Sequence, residues 1–330
     1  MKVLIAGGAG FVGSTVSSAC LDEGITPVIL DNLHTGRREF THGRPFYEGD
    51  IDDKSLIDRV FSEHPDIDVT ILCAALISVP DSVREPAVYY EENVVKALHF
   101  VTRLSERGCS RIIFSSTASV YGTSLTPEVD EEAPLRPESP YARTKAACEA
   151  MFHDLADASH LRVLSLRYFN PIGADPQMRT GLQLSEPTHA LGRLISCLES
   201  REEFTVTGSD FPTRDGTGVR DYVHVWDLAL AHVAALQRFD DVMGQSHYEV
   251  INLGTGQGTT VRELVAAFNS VVATPVTWFD GPRRPGDVAG AYASHDKAQR
   301  LLDWTPQRSL IDGIRDSLEW SRVRREVLGD

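Results

Sequence analysis

Short apolar runs alternate with amphipathic stretches through the first half of the chain. The runs that predict strands cover residues 2–6, 27–30, 45–47, 69–73, 111–114 and 162–167, and helical spacing covers 11–22, 54–62, 87–106 and 141–156. Continuously apolar strands separated by helices are typical of a parallel sheet covered on both faces. The pattern therefore predicts an α/β fold built on a doubly wound parallel sheet.

The pattern changes after Asn170. Glycine and proline are frequent over residues 171–187, where no period is visible, which indicates a loop-rich second region. Helical spacing returns at 225–239 and a strand pattern at 249–252. We therefore expect one domain over 1–170 with 225–252 returning to it. A smaller C-terminal α/β lobe is expected from 171–224 and 253–330, with a turn at Arg283-Arg284-Pro285-Gly286.

Composition narrows the class of partner. The 330 residues carry 32 Lys and Arg against 47 Asp and Glu, a formal net charge of −15. This excess repels phosphate backbones and anionic lipids, so we expect neither nucleic acid nor a membrane as a partner. The longest nearly apolar run, 69–79, is shorter than the about 20 residues that a membrane helix needs, and glycines interrupt any signal-peptide core near the N-terminus.

The five cysteines also bear on the compartment. They are widely spaced, odd in number and include no C-x-x-C pair. Such a set indicates reduced, mostly buried thiols in a cytoplasmic protein. We expect no metal site.

A glycine-rich loop directly follows the first predicted strand and opens the first helix. Gly7, Gly10 and Gly13 have the spacing G-x-x-G-x-x-G. Backbone N–H groups of such a loop can approach a pyrophosphate, and the helix N-terminus adds partial positive charge. Glycines at this spacing can also mark an ordinary tight turn, but the strand–loop–helix context predicts a dinucleotide site.

Two carboxylates end the second and third predicted strands. Asp31 lies about 20 residues beyond the glycine loop, where a carboxylate accepts hydrogen bonds from an adenosine ribose. It favours NAD over NADP because it would repel a 2′-phosphate, although Arg37 and Arg38 follow shortly. Asp50 is a candidate for the adenine amino group. Capping a strand end or a helix is the alternative role for both carboxylates.

The sharpest feature is a tyrosine and a lysine four residues apart on a predicted helix. Tyr141 and Lys145 project from one helix face. An ammonium and a nicotinamide cation near a phenol lower its pKa, so Tyr141 is predicted to remove a proton from a substrate hydroxyl. Thr117, the last of three hydroxyl residues after a strand, is predicted to hydrogen-bond the reacting oxygen. Exposed surface and turn residues are the alternatives.

Seven segments extend this picture along the whole chain: 7–14, 31–33, 115–122, 139–145, 166–171, 216–223 and 283–287. Together they resemble the extended short-chain dehydrogenase/reductases, and within them the UDP-glucose (UDP-galactose) 4-epimerases. The resemblance implies a Rossmann-type NAD-binding domain, a C-terminal UDP-sugar-binding lobe and tightly held NAD. It also implies a homodimer built on the helices around 87–106 and 141–156.

The resemblance implies individual contacts as well. Those to NAD are Gly7, Gly10, Phe11, Val12, Gly13, Asp31, Asn32, Asp50, Ile51, Ala74, Ala75, Asn93, Ser115, Lys145 and Phe169. Those to the UDP-sugar are Thr117, Tyr141, Asn170, His189, Thr205, Arg220, Arg284, Asp287 and Ala291. Arg220 and Arg284 suit a diphosphate, because a guanidinium can donate two parallel hydrogen bonds to it. Surface ion pairing is the alternative for both arginines.

Several positions depart from the family pattern or restrict which reactions and substrates are expected. Ile77 stands where many relatives have lysine, and His189 stands where they often have asparagine. Ala291 occupies a gate position that is filled by tyrosine, cysteine or smaller residues in the family, and its methyl group leaves room for a bulkier sugar. Ala118-Ser119 lack the acid and base that related dehydratases carry after the threonine.

We therefore expect NAD-dependent 4-epimerisation of a UDP-hexose, UDP-glucose or UDP-galactose, through a transient 4-keto intermediate. The same mechanism on UDP-N-acetylglucosamine or UDP-glucuronic acid is the alternative, with Arg179 as a candidate partner of the uronate carboxylate. A non-catalytic NAD-sensing protein of the same fold is a further alternative. The spacing of Tyr141 and Lys145 argues against it.

Overall fold

The computed structural model describes residues 1–124, 126–284 and 286–329; Pro285, in one predicted turn, lies outside them. The described strands are β1 (Lys2–Ala6), β2 (Thr26–Asp31), β3 (Phe46–Glu48), β4 (Ile67–Leu72), β5 (Arg111–Thr117), β6 (Glu128–Val129), β7 (Arg162–Tyr168), β8 (Asn170–Ile172), β9 (Phe204–Thr207), β10 (Val219–Arg220), β11 (Tyr222–His224), β12 (Tyr248–Leu253), β13 (Thr259–Thr260), β14 (Trp278–Gly281) and β15 (Tyr292–Ala293).

The described helices are α1 (Phe11–Asp22), α2 (Lys54–Glu63), α3 (Val79–Arg84), α4 (Pro86–Tyr90), α5 (Lys96–Glu106), α6 (Pro140–Ala158), α7 (Ala190–Ser200), α8 (Val225–Gln237), α9 (Phe239–Met243), α10 (Val261–Asn269), α11 (Asp296–Leu302) and α12 (Leu310–Leu328). A π-helical turn, Glu91–Val95, joins α4 to α5. Within these residues, no helix combines the length and apolar character needed to cross a membrane.

Seven of the described strands form one sheet in the order β12-β7-β5-β4-β1-β2-β3. Every neighbouring pair in it is parallel. The strand order reverses at β1, because β2 and β3 lie on one side of it and β4, β5 and β7 on the other. Ligands of such sheets bind beyond the carboxyl ends of the strands at this switch point. The predicted Rossmann-type doubly wound sheet is confirmed.

Alternate residues of β1 face two separate cores, which explains its unbroken apolar sequence. Val3 and Ile5 pack in the core beneath α1, α8 and α11. Leu4 and Ala6 pack in the core beneath α2, α5 and α6. Burying each large apolar side chain stabilises the fold by roughly 1.5–3 kcal/mol, so both layers of helices hold the sheet in place.

The second half is richer in regular structure than its sequence pattern predicts. Helices α7, α10 and α12 enclose an apolar core that includes Leu194, Phe268 and Ile314. The pattern failed to predict α7 because Gly192 interrupts its first turn. That glycine allows a close contact, since a Cβ there would lie 2.5 Å from Cβ of Pro187. The predicted helix over 87–106 contains the π-helical turn, and the one over 225–239 divides into α8 and α9.

Candidate active site

The glycine loop lies at the switch point, between β1 and α1. Gly7 has φ +81°, and a Cβ there would lie 2.5 Å from the backbone N of Ala74. A Cβ at Gly13 would lie 2.2 Å from the carbonyl oxygen of Gly7, so both glycines are required by the fold itself. Gly10 differs, because its nearest neighbour would be 3.5 Å away.

Gly10 is also the N-cap of α1, and no side chain caps this helix end. The N–H groups of the first turn, which belong to Phe11, Val12 and Gly13, are therefore available to an outside acceptor. An uncapped helix N-terminus beside open space fits a pyrophosphate. The loop thus suits the dinucleotide predicted from the sequence.

Asp31 lies where β2 ends, beside the glycine loop. Its two carboxylate oxygens accept hydrogen bonds from the backbone N of Ala9 at 2.9 Å and of Leu33 at 2.8 Å. Burial raises the pKa of this carboxyl, and the two backbone bonds partly oppose the rise. The side chain ties the loop after β2 to the glycine loop, so the same carboxylate shapes both walls of the proposed adenosine site.

Asp50 follows β3 and belongs to a small charged cluster. Its Oδ2 accepts hydrogen bonds from Asn32 Nδ2 at 3.1 Å and from Lys96 Nζ at 2.9 Å. Burial alone would raise its pKa, but these donors bring the pKa below the usual value. Ile51 packs its side chain into the core instead. Lys96 had no predicted role, and it supplies the positive charge here.

The segment after β4 lines the opposite wall of the glycine loop. Ala74 and Ala75 are half-buried, and the backbone N of Ala74 donates to Ala6 O at 3.0 Å. Asn93, in the π-helical turn, accepts from Leu76 N at 2.8 Å and donates to Leu76 O at 2.9 Å. Its amide also donates to Thr144 Oγ1 at 3.1 Å. Asn93 therefore holds this wall against α6.

Tyr141 and Lys145 lie in the first turns of α6, and both are buried. Ser139 fixes the start of this helix, because its hydroxyl accepts from Ala142 N at 3.1 Å and proline follows at the first helical position. Lys145 Nζ donates to the carbonyl oxygen of Ser115 at 2.7 Å. The Thr117 side chain lies near the Tyr141 hydroxyl, whose pKa it lowers in part, and its Oγ1 donates to Ser119 Oγ at 3.2 Å. The fold thus brings β5 and α6 together around the predicted reacting groups.

Burial dominates the electrostatics of this pair in the protein alone. Burial raises the pKa of Tyr141 to about 12, and the neighbouring Thr117 side chain only partly opposes the rise. Burial also lowers the pKa of Lys145. In the protein alone the pKa of the phenol is set by burial, with smaller effects of Thr117 and Tyr89. The positive charge that would favour the phenolate is one that a bound nicotinamide supplies.

Two buried polar networks behind the pair were not predicted. In the first, Arg167 and Glu149 form an ion pair at 2.6 Å, with both side chains 5% exposed. Arg167 Nη1 donates to the Tyr121 hydroxyl at 2.8 Å, which donates to Asn252 Oδ1 at 2.7 Å. The sequence signal that could have indicated this network is a charged residue, Arg167, within the apolar run of β7. This network joins β7, β12 and α6 directly behind Lys145.

The second network links Ser115 to Tyr168 and His232. The Ser115 hydroxyl lies 2.8 Å from that of Tyr168, which is hydrogen-bonded to His232 Nε2. Cys73 Sγ is 3.1 Å from the same serine hydroxyl. Phe169, the next residue of the chain, is buried and stacks on Tyr121 with ring centroids 6.5 Å apart.

The second half of the chain brings Arg284, a predicted cation, close to the residues just before α7. Arg284 forms an ion pair with Asp287 at 3.0 Å, and its Nη1 donates to Thr188 O at 3.0 Å. His189 caps α7, and its Nδ1 accepts from Gly192 N at 3.2 Å. Burial lowers the pKa of His189 to about 4, so the ring is neutral at pH 7.

Arg220 is held by main-chain oxygens. Its Nη1 donates to the carbonyls of Val219 at 2.7 Å and Val288 at 3.2 Å. Among the described carboxylates, none forms an ion pair with it, so its charge is available to an anion. Asn170 begins β8, and its backbone N donates to Asp221 O at 2.8 Å.

The remaining predicted residues are distributed as follows. Thr205 lies on β9, beside Phe279 of β14 in the sheet register. Ala291 is half-buried against the cluster that contains Phe169. Arg179 corrects one hypothesis: its guanidinium pairs with Asp22 at 2.7 Å and with the buried Asp175. These partners attach it to α1, so the structure gives no support to its pairing with a substrate carboxylate.

A dinucleotide cradle at the switch point of a parallel sheet, next to a buried tyrosine–lysine pair, defines a Rossmann-type nucleotide-dependent enzyme. The sequence model of the NAD dependent epimerase/dehydratase family matches residues 3–254, and the chain belongs to this family. The family resemblance predicted from the sequence is confirmed.

Named relatives agree with this assignment. The chain is 40% identical over 319 residues to a UDP-glucose 4-epimerase of Rhizobium leguminosarum bv. trifolii, covering 96% of each sequence. It is similar to the UDP-glucose-4-epimerase of Stenotrophomonas maltophila with bound NAD and formylated UDP-arabinopyranose (TM-score 0.92, 35% identity, 99% of each chain). It also resembles the Bifidobacterium longum UDP-glucose 4-epimerase in complex with NAD+ and UDP (TM-score 0.90, 34% identity, 98% of each chain).

Proposed function

We propose that this protein is an NAD-dependent isomerase that interconverts UDP-glucose and UDP-galactose by inverting C4 of the sugar. The observation that carries the proposal is the arrangement of Thr117, Tyr141 and Lys145 at the carboxyl end of β5, beside an uncapped glycine loop. The names of the full-length relatives support the substrate. NAD is assigned to residues 1–170 with 225–252, and the UDP-sugar to 171–224 and 253–330.

The chain's own residues have distinct roles in this reaction. The glycine loop, Asp31 and Asn32 would hold NAD, which when bound accepts a hydride from C4 and returns it to the opposite face. Tyr141, as phenolate, takes the proton of the C4 hydroxyl and later gives it back. Thr117 orients the sugar oxygen through its hydroxyl, and Lys145 stabilises negative charge at the phenol oxygen.

Inversion requires the sugar to turn while the nucleotide stays bound. We assign Arg220, Arg284 and His189 to the diphosphate, with Asn170 and Asp287 nearby and Thr205 at the base. Arg220 offers a charge that no described carboxylate neutralises. Arg284 is held between Asp287 and Thr188, which places it next to the cap of α7. Gripping the diphosphate and leaving the hexose loosely held allows both faces of C4 to be presented.

Conversion of UDP-galactose without added cofactor tests this function. The purified protein is expected to form UDP-glucose from UDP-galactose, and the reverse, up to one common equilibrium ratio. Nucleotide sugars are separated by chromatography, and NAD released by acid from the same preparation is measured enzymatically. Absence of interconversion with every UDP-hexose, despite bound NAD, would favour the NAD-sensing alternative.

A second substrate, UDP-N-acetylglucosamine, is favoured by one observation. Ala291 presents only a methyl group against the cluster of Phe169, Val120 and Ala118. We expect Ala291→Tyr to lower kcat/KM for the N-acetylated substrate by about 10-fold or more, with a smaller change for UDP-glucose, because the ring would occupy the space of the acetyl group. Ala291→Ser serves as the control of similar size. Equal losses on both substrates would contradict the assignment.

We also propose a homodimer in the cytoplasm. Val88 and Tyr90 on α4 are 43% and 41% exposed, and Met151 and Leu155 on α6 are only partly buried where they pack against the core beneath α5. Apolar side chains in such numbers suit a helical interface between two copies. The five cysteines are all free, which suits a reducing compartment.

A further inference from the structure

A chain of hydrogen bonds runs from α8 to the predicted reacting groups. His232 lies on α8 and is completely buried. Its Nδ1 is 2.8 Å from Leu228 O, one turn earlier, and its Nε2 is hydrogen-bonded to the Tyr168 hydroxyl. The Tyr168 hydroxyl is 2.8 Å from that of Ser115. No motif in the sequence assigned a role to His232 or Tyr168.

The donor and acceptor in these hydrogen bonds can be assigned by starting from the Leu228 carbonyl oxygen. A carbonyl oxygen can only accept, so Nδ1 of His232 carries a hydrogen. Burial lowers the pKa of His232 to about 4, so the ring is neutral at pH 7 and Nε2 can only accept. The Tyr168 hydroxyl must therefore donate to His232, and its bond with Ser115 needs the hydrogen of the serine hydroxyl. Cys73 Sγ, at 3.1 Å, is a second acceptor for that hydrogen, so Tyr168 and Cys73 together orient the serine.

Ser115 connects this chain to the reacting pair. Its carbonyl oxygen accepts from Lys145 Nζ at 2.7 Å, and its hydroxyl is held by Tyr168. We propose that His232 is a positioning residue of the reaction: through Tyr168 it fixes Ser115, and Ser115 in turn fixes the Lys145 ammonium beside Tyr141. The inference rests on the proposed function, because it takes Tyr141 and Lys145 as the reacting groups.

The hydrogen bond between Tyr168 and His232 also distinguishes the phenol of Tyr168 from the neighbouring phenol of Tyr141. Tyr168 and Tyr141 interact electrostatically, and burial raises the pKa of Tyr168 well above its usual range. Because the proton of Tyr168 is directed at His232, that phenol remains neutral and cannot donate to a substrate oxygen. Within the part of the chain that the structure describes, Tyr141 has no such acceptor behind it, and it is the phenol left to exchange a proton. His232 thereby helps to determine which tyrosine reacts.

Two substitutions and their combination test the inference. His232→Leu removes the acceptor, and Tyr168→Phe removes the hydroxyl between His232 and Ser115. Each is expected to lower kcat by about 10- to 100-fold, since small misplacement of reacting groups has effects of this size. KM for UDP-galactose and the amount of NAD bound per chain should each change by less than about 3-fold, because neither residue is assigned to binding NAD or the UDP-sugar.

The double variant decides how His232 acts. If His232 acts through Tyr168, the double variant loses no more kcat than Tyr168→Phe alone, so the two losses are not additive. His232→Gln, which retains an acceptor, is expected to recover at least part of kcat. Val233→Ala, a neighbouring buried position on α8, is the packing control and should lower thermal stability with kcat kept.

Several outcomes would overturn the inference. Additive losses, no recovery with glutamine, or a loss of kcat that merely follows thermal stability would assign His232 to packing alone. Tyr168→Phe changes a single oxygen, so it decides the question if His232→Leu does not fold: unchanged kcat in that variant contradicts the inference. The proposed function fails separately, by absence of interconversion in the unsubstituted protein.

Discussion

Tyr141→Phe is expected to lower kcat for UDP-galactose conversion by about 10²- to 10⁴-fold, the range for loss of a general acid–base group. Phenylalanine keeps the buried ring at the start of α6 and loses only the hydroxyl that Thr117 contacts. UDP affinity, measured by calorimetry, should change by less than about 3-fold, because the nucleotide is assigned to other residues. The kinetic measurement is initial rate against substrate concentration.

Tyr90→Phe is the matched control, since that tyrosine is 41% exposed on α4. It should leave kcat unchanged. If Tyr141→Phe retains kcat within about 10-fold of the unsubstituted protein, another group exchanges the proton. Tyr89 and Tyr168 would then be the next phenols to substitute, because both interact electrostatically with Tyr141.

Substitutions at Gly10 and Gly13 are expected to fail in different ways. Gly10→Ala adds a methyl group to open space, with the nearest atom 3.5 Å away, so the chain should fold with little change in thermal unfolding. The methyl group would stand where the pyrophosphate approaches the uncapped helix, so bound NAD should fall at least about 10-fold. Acid release and enzymatic assay of NAD measure this loss.

Gly13→Ala places a Cβ 2.2 Å from the Gly7 carbonyl oxygen. Relief of this clash must shift α1 or the loop, and we expect about 3 kcal/mol of destabilisation or failure to fold. Thermal unfolding after removal of the cofactor separates this effect from stabilisation by bound NAD. Full NAD content in Gly10→Ala would place the pyrophosphate elsewhere, and unchanged unfolding of Gly13→Ala would contradict the close approach of α1 to Gly7.

The large sheet was predictable because the sequence of each strand indicates a strand without reference to the rest of the chain. Runs such as 2–6 are apolar on both faces, and a strand buried on both faces permits little else. Prediction was poorer in the second half of the chain. There α7 and α12 bury only one stripe each against strands and helices far along the chain. Their stability comes from contacts that a local period does not contain.

The candidate site likewise has features that local sequence predicts and features that it does not. Tyr141 and Lys145 were predictable because one helix turn relates them, and Gly7, Gly10 and Gly13 because one loop contains them. The predicted lowering of the phenol pKa includes the charge of a bound nicotinamide, whereas burial raises this pKa in the protein alone, which the spacing of Tyr141 and Lys145 does not reveal. Arg179 was misjudged for a related reason, since Asp22 lies 157 positions away in the chain.

The sequence by itself determined the parallel α/β architecture, the dinucleotide loop and the tyrosine–lysine pair, because each depends on residues close together in the chain. Only the tertiary structure decided how those groups are charged and held. The hydrogen bonds from Ser115 to Tyr168 and from Tyr168 to His232 join residues 53 and 64 positions apart. Folding creates both the contacts and the dry surroundings that give them strength, and neither is written in local spacing.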